Sequence, residues 1–146
     1  MFINDYWSLA IEYGAYGVHL GQDDLITADL YGIQNAGLRL GVSTHCYWEV
    51  CRAAALNPSY LAIGPIFKTT TKTMTFSPQG VESLLLWQKL LPFPLVAIGG
   101  IFLKNAAPII QTGVSGIAVV REITESTNVS TTVQNWQNLL SQTNKL

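Results

Sequence analysis

Six short apolar runs constrain this sequence most: Phe2-Ile3, Gly17 to Leu20, Leu38 to Val42, Leu61 to Ile63, Leu95 to Ile98, and Ile117 to Val120. Each has the length of a strand, and Leu61-Ala62-Ile63 has the composition of one buried on both faces. Helical punctuation lies between them, and strand followed by helix, repeated, predicts a parallel sheet. Asp5 is placed to cap a first helix through Trp7, Leu9, Ala10 and Ile11 that ends near Gly14. Thr27 is placed to cap a second, closed by Gly37, and a third spans His45 to Leu56, ended by Asn57-Pro58. Val81 to Leu91 reads as a helix stopped by Pro92, and Asn105 to Thr112 as a short one with Pro108 in its first turns. Val133, Trp136, Leu139 and Leu140 fall at helical spacing in a closing helix over Thr131 to Gln142.

About six β-α units in 146 residues fit two architectures. An open doubly wound sheet suits the length, and pattern alone favours it slightly. An arc of a (β/α)8 TIM barrel is the other, although a whole barrel normally needs at least about 200 residues. No linker or low-complexity stretch divides the chain, so residues 1–146 read as a single domain. Eight basic and nine acidic residues are scattered, which gives no footprint for nucleic acid. Met1 to Asp5 lacks the basic and apolar regions of a signal peptide, and the apolar stretch Leu84 to Leu103 is too broken to span a membrane. Cys46 and Cys51 fit no disulfide framework and read as reduced, packed thiols of a cytoplasmic protein.

In both architectures ligands bind at the C-terminal ends of the strands. The residues just after the runs are Asn4-Asp5, Gln22-Asp23-Asp24, Ser43-Thr44-His45, Thr69 to Lys72, Gly99-Gly100 and Arg121-Glu122. Asp5 and Asp24 would end adjacent strands about 4.8 Å apart, where two carboxylates repel unless a cation lies between them. Each alone would serve as a helix cap; as a pair facing a phosphate loop they suit Mg²⁺, which takes one or two carboxylates and completes its shell with waters and phosphate oxygens. The run Thr69-Thr70-Thr71-Lys72 supplies hydroxyls, backbone N–H groups and an ammonium, as a phosphate site or as a solvated polar loop. His19 and His45 have no Cys, Asp or Glu at zinc-ligand spacing and read as buried or hydrogen-bonded histidines.

These segments resemble the thiamine-phosphate synthase family from Phe2 to about Glu122. Asn4-Asp5 is similar to the family's N-D, Gly21-Gln22-Asp23-Asp24 to G-Q-[DE]-D, and Leu40 to His45 to L-G-V-S-x-H. Thr69 to Lys72 resembles T-x-T-K, Gln79-Gly80 the Q-G that closes that loop, and Ile98 to Ile101 part of G-I-G-G-I. The resemblance implies a TIM barrel, with Phe2-Ile3 at the family's third strand and the first two units not matched. It implies Asp5 and Asp24 as Mg²⁺ ligands, Asn4 at a pyrimidine diphosphate, and Ser43 and Lys72 at the departing diphosphate. Thr69, Thr70, Thr71, Gly100, Val120 and Arg121 would surround a thiazole phosphate. The family usually has serine where Arg121 stands; arginine there would either grip the phosphate or fill the pocket.

The implied reaction joins hydroxymethylpyrimidine diphosphate to thiazole phosphate, giving thiamine phosphate and diphosphate with Mg²⁺ as cofactor. It needs no general base, in keeping with the absence of a His–acid dyad from the sequence. The strand end by which the family grips the pyrimidine belongs to the unmatched units, so turnover far below that of a full-length synthase is expected. The alternatives are an impaired remnant or thiazole-phosphate-binding protein of the same fold, a scaffold that works only as a homo-oligomer, and an isomerase-like relative. Thr69 to Lys72 argues against the last.

Overall fold

The computed structural model describes residues 1–70 and 76–143. Six strands, β1 (Phe2–Asn4), β2 (Gly17–Leu20), β3 (Arg39–Thr44), β4 (Tyr60–Ile63), β5 (Leu95–Ile98) and β6 (Gly116–Ala118), coincide with the apolar runs to within two residues at each end. All adjacent pairs are parallel, and the order is β1-β2-β3-β4-β5-β6. A doubly wound sheet reverses its order at a switch point. This sheet never reverses, so it is an arc of a (β/α) barrel, against the slight preference of the bare pattern.

The helices are α1 (Trp7–Glu12), α2 (Asp24–Thr27), α3 (Leu30–Asn35), α4 (Tyr47–Ala54), α5 (Gly80–Leu90), α6 (Ala107–Ile110), α7 (Arg121–Thr124) and α8 (Val129–Thr143). Val18, Leu20, Val42, Leu61, Ile63, Leu95 and Ala97 are fully buried and join Ala10, Ile33, Val50, Ala53, Leu84 and Ile109 of the helices in one core. Burying one such Leu or Ile side chain is worth about 1.5–3 kcal/mol. The alternate positions Gly17, His19, Gly41, Ser43, Tyr60 and Ala62 fall on the other face of the sheet. His19, Gly41 and Tyr60 are register partners across β2, β3 and β4.

Local signals were redistributed in several places. The N-cap of α1 is Tyr6, because Asp5 takes a left-handed backbone, φ 63°. The helix expected after Thr27 is two: Thr27 ends α2, Ala28 is extended, and Asp29 caps α3 by accepting the Gly32 N–H at 2.8 Å. The segment from Asn105 splits into a 3-10 turn at Leu103–Asn105 and α6, with Pro108 in the first turn of α6. Four-residue α7 carries too little periodicity to be seen beforehand. Both cysteines are free, but Cys51 is exposed and not packed as expected. Among the described residues no helix is long and apolar enough to cross a membrane.

Candidate active site

The strand ends open into a cavity of about 710 Å³. Asn4, Asp5, Asp24, Ser43, Thr69, Gly100, Val120 and Arg121 all line it, so the residues singled out along the sequence converge on one rim. Thr70 is not among the lining residues, and Thr71 and Lys72 lie outside the described residues.

On the first side of the rim, Asp5 directly follows β1, its N–H bonded to the His19 carbonyl at 2.9 Å. A non-glycine residue in the left-handed region costs about 1–3 kcal/mol, and such costs gather at functional sites. Asp24 begins α2 and accepts the Gly21 N–H through one oxygen at 2.9 Å. Gln22 donates to the Ser43 carbonyl at 2.7 Å, while its own amide oxygen is buried with no partner among the described residues. No group of three or more His, Cys, Asp or Glu able to hold a metal occurs among the described residues. Two carboxylates beside an orphaned acceptor fit a hydrated Mg²⁺, whose waters donate to such acceptors, better than an all-protein cage.

His19 links this side together. One ring nitrogen, Nε2, lies 2.8 Å from Ser43 Oγ; the other, Nδ1, lies 2.7 Å from the Tyr60 hydroxyl. Burial lowers the His19 pKa below the ordinary imidazole value, against the pull of Asp24. Burial also raises the Tyr60 phenol. His45 is likewise hydrogen-bonded, its Nδ1 lying 2.7 Å from Glu49 and its backbone N–H donating to the same carboxylate oxygen at 2.6 Å. The expected absence of a His–acid dyad is therefore overturned: His45 and Glu49 pair on the rim. Phe76 stacks on His45 with centroids 5.3 Å apart, where the described chain resumes after Thr70.

The second side is built mainly from backbone. Gly100 has φ 67°, and a Cβ there would lie 2.6 Å from the Lys68 carbonyl and 2.7 Å from that of Phe67. Among the described residues the N–H groups of Gly100 and Ile101 donate to nothing, which leaves two donors for an oxyanion. Gln79 pins the returning chain through its side-chain N–H to the Gly64 carbonyl, 2.9 Å, and its backbone N–H to that of Pro65, 2.8 Å. Arg121 is held in a fork by Glu125 at 2.8 and 2.9 Å and donates from its remaining arm to Thr70 Oγ1 at 2.6 Å. Its side chain is engaged at the mouth between β4 and α7. Lys68, not singled out beforehand, adds a cation to this side.

The family model for thiamine monophosphate synthase matches residues 1–123. The thiamine-phosphate synthase of Photorhabdus laumondii is 57% identical over 127 residues, covering 86% of this chain and 59% of the relative. That of Neisseria meningitidis serogroup B is 54% identical over 140 residues, 95% of this chain and 68% of the relative. The chain thus spans about three-fifths to two-thirds of the length of these relatives. Among solved structures, thiamine phosphate pyrophosphorylase from Pyrococcus furiosus superposes with a TM-score of 0.84 at 28% identity, over 97% of this chain and 67% of that one. The 3-hexulose-6-phosphate synthase from Salmonella typhimurium shares the fold alone, with a TM-score of 0.69 and 18% identity over 94% of this chain and 67% of that one. With the strand order, the rim residues and these matches agreeing, the chain belongs to the thiamine monophosphate synthase family.

Proposed function

We propose that the chain acts in thiamine biosynthesis as a cytoplasmic transferase, a single barrel-type unit that joins hydroxymethylpyrimidine diphosphate to thiazole phosphate. The observation that carries this reading is the meeting of Asp5, Asp24 and Ser43 with Thr69 and Gly100 around one cavity. Asp5 and Asp24 would hold Mg²⁺, which when bound supplies positive charge beside the diphosphate. Asn4 and Ser43 then orient the pyrimidine diphosphate. Gly100 and Ile101 N–H groups, the Thr69 to Thr71 hydroxyls and Lys68 take the thiazole phosphate. The methylene–oxygen bond to diphosphate breaks, Lys72 meets the departing negative charge, and the thiazole nitrogen bonds to the resulting carbon. Arg121, with its fork on Glu125, steadies Thr70 at the mouth through its remaining arm.

The test is release of inorganic diphosphate from the two substrates with Mg²⁺, alongside calorimetry with each substrate alone. Release that needs both substrates and the metal supports the reading. Thiazole phosphate binding without release would leave a thiazole-phosphate-binding protein of this fold, and binding of neither would sink both readings. Among the described residues β1 and β6 each pair on one side only, and open edges recruit strands. Self-association is therefore expected, and a sharp monomer peak from a concentrated sample would contradict it.

A further inference from the structure

We infer that Tyr60, acting through His19, sets the direction in which the Ser43 hydroxyl points its proton, making Ser43 a hydrogen-bond donor to an anion in the cavity. The three groups form one chain across β4, β2 and β3: Tyr60 hydroxyl to Nδ1 at 2.7 Å, and Nε2 to Ser43 Oγ at 2.8 Å. A neutral imidazole carries one proton, so the chain has two polarities. In one, Ser43 donates to Nε2 and Nδ1–H donates to Tyr60. The last proton then sits on the Tyr60 hydroxyl, which has no other hydrogen-bond partner among the described residues. In the other, Tyr60 donates to Nδ1, Nε2–H donates to Ser43, and the last proton sits on Ser43 at the cavity wall. Only the second arrangement presents a donor to an anion in the cavity; in the first the Ser43 proton is committed to Nε2 and the hydroxyl turns its lone pairs toward the negative charge.

The sequence makes room for this contact. A Cβ on Gly41 would lie 2.2 Å from the Tyr60 ring, so the phenol crosses β3 only because that position is glycine. Phe2 meets the Tyr60 ring edge-on at 5.2 Å, and His19 stacks beside it at 5.6 Å, which fixes the ring without using its hydroxyl. Tyr60 is therefore a positioning residue, and Tyr60→Phe removes the donor while keeping the packing.

The inference rests on the reading of Ser43 as a diphosphate contact, and two measurements separate their failures. Nitrogen NMR of the His19 ring in the free protein reports the tautomer directly. The expected result is a proton on Nε2 in the wild type, shifting toward Nδ1 in Tyr60→Phe; a proton on Nδ1 in the wild type overturns the inference. Calorimetry with inorganic diphosphate and Mg²⁺ should show Tyr60→Phe binding about tenfold more weakly. The loss should vanish in a Ser43→Ala background, because the effect runs through that hydroxyl. An equal loss with Ser43 absent overturns the proposal. No diphosphate binding by the wild type sinks the reading of the cavity, and the tautomer still decides the direction of the chain.

Discussion

The two sides of the rim solve the same problem, holding negative charge, by different means. The β1–β3 side uses side chains fixed by bonds between strands: His19 to Ser43 and Tyr60, and Gln22 to the Ser43 carbonyl. The β4–β6 side uses backbone donors exposed by Gly99 and Gly100, with Thr70 and Arg121 meeting in solvent at the mouth. A carboxylate pair for a cation needs defined side-chain positions. A phosphate is met by N–H groups wherever the chain bends sharply enough. The first side should therefore answer to loss of functional groups, and the second to any added bulk.

The largest effect is expected at Gly100→Ala. A left-handed backbone and two carbonyls within 2.7 Å of the new carbon leave no room, so the strand-end turn must move. Strain of about 1–3 kcal/mol should lower the melting temperature, and thiazole phosphate binding should be lost in calorimetry. Retained affinity would show that the backbone of this turn is not the phosphate site.

Next in size is Asp24→Asn, which keeps the shape and removes the charge. Mg²⁺-dependent diphosphate binding should fall at least about tenfold, with thiazole phosphate binding unchanged. Loss of both would break the division into two sides. Gly41→Ala should cost about 1–3 kcal/mol by overpacking against the Tyr60 ring. It should weaken diphosphate binding more than thiazole phosphate binding, measured by denaturant melts and calorimetry.

The smallest change is expected for Arg121→Ser. The guanidinium and its partners are exposed, and surface substitutions usually stay within about 0.5 kcal/mol. Stability should barely move, and thiazole phosphate affinity should change less than in Gly100→Ala. A gain of tenfold or more would mean that Arg121 fills the pocket.

The strands were legible because each needs a run of apolar residues to bury, and a run of four is visible without its neighbours. Thr44 shows the limit: it extends β3 past the apolar run because its buried hydroxyl donates to the Ala62 carbonyl at 3.0 Å, a partner on another strand. The cap at Asp29 competed with Thr27 two positions away, and local spacing does not rank the two. The pairing of His45 with Glu49 had a weaker local signal: His45 precedes the N-cap Cys46, and Glu49 in the first turn of α4 reaches back to it. The His19–Tyr60 contact was not, with 41 residues between its members.

By itself the sequence determined the succession of strand and helix and the residues that follow each strand, because burial and chain reversal act over a few neighbouring residues. It also carried motifs close enough to a family to suggest a barrel where the bare pattern leaned the other way. Only the tertiary structure decided the unreversed strand order and the register that sets His19, Gly41 and Tyr60 in one row. Register follows from how the buried faces of neighbouring strands pack against the helices, and shifting one strand by a residue would turn Tyr60 away from His19.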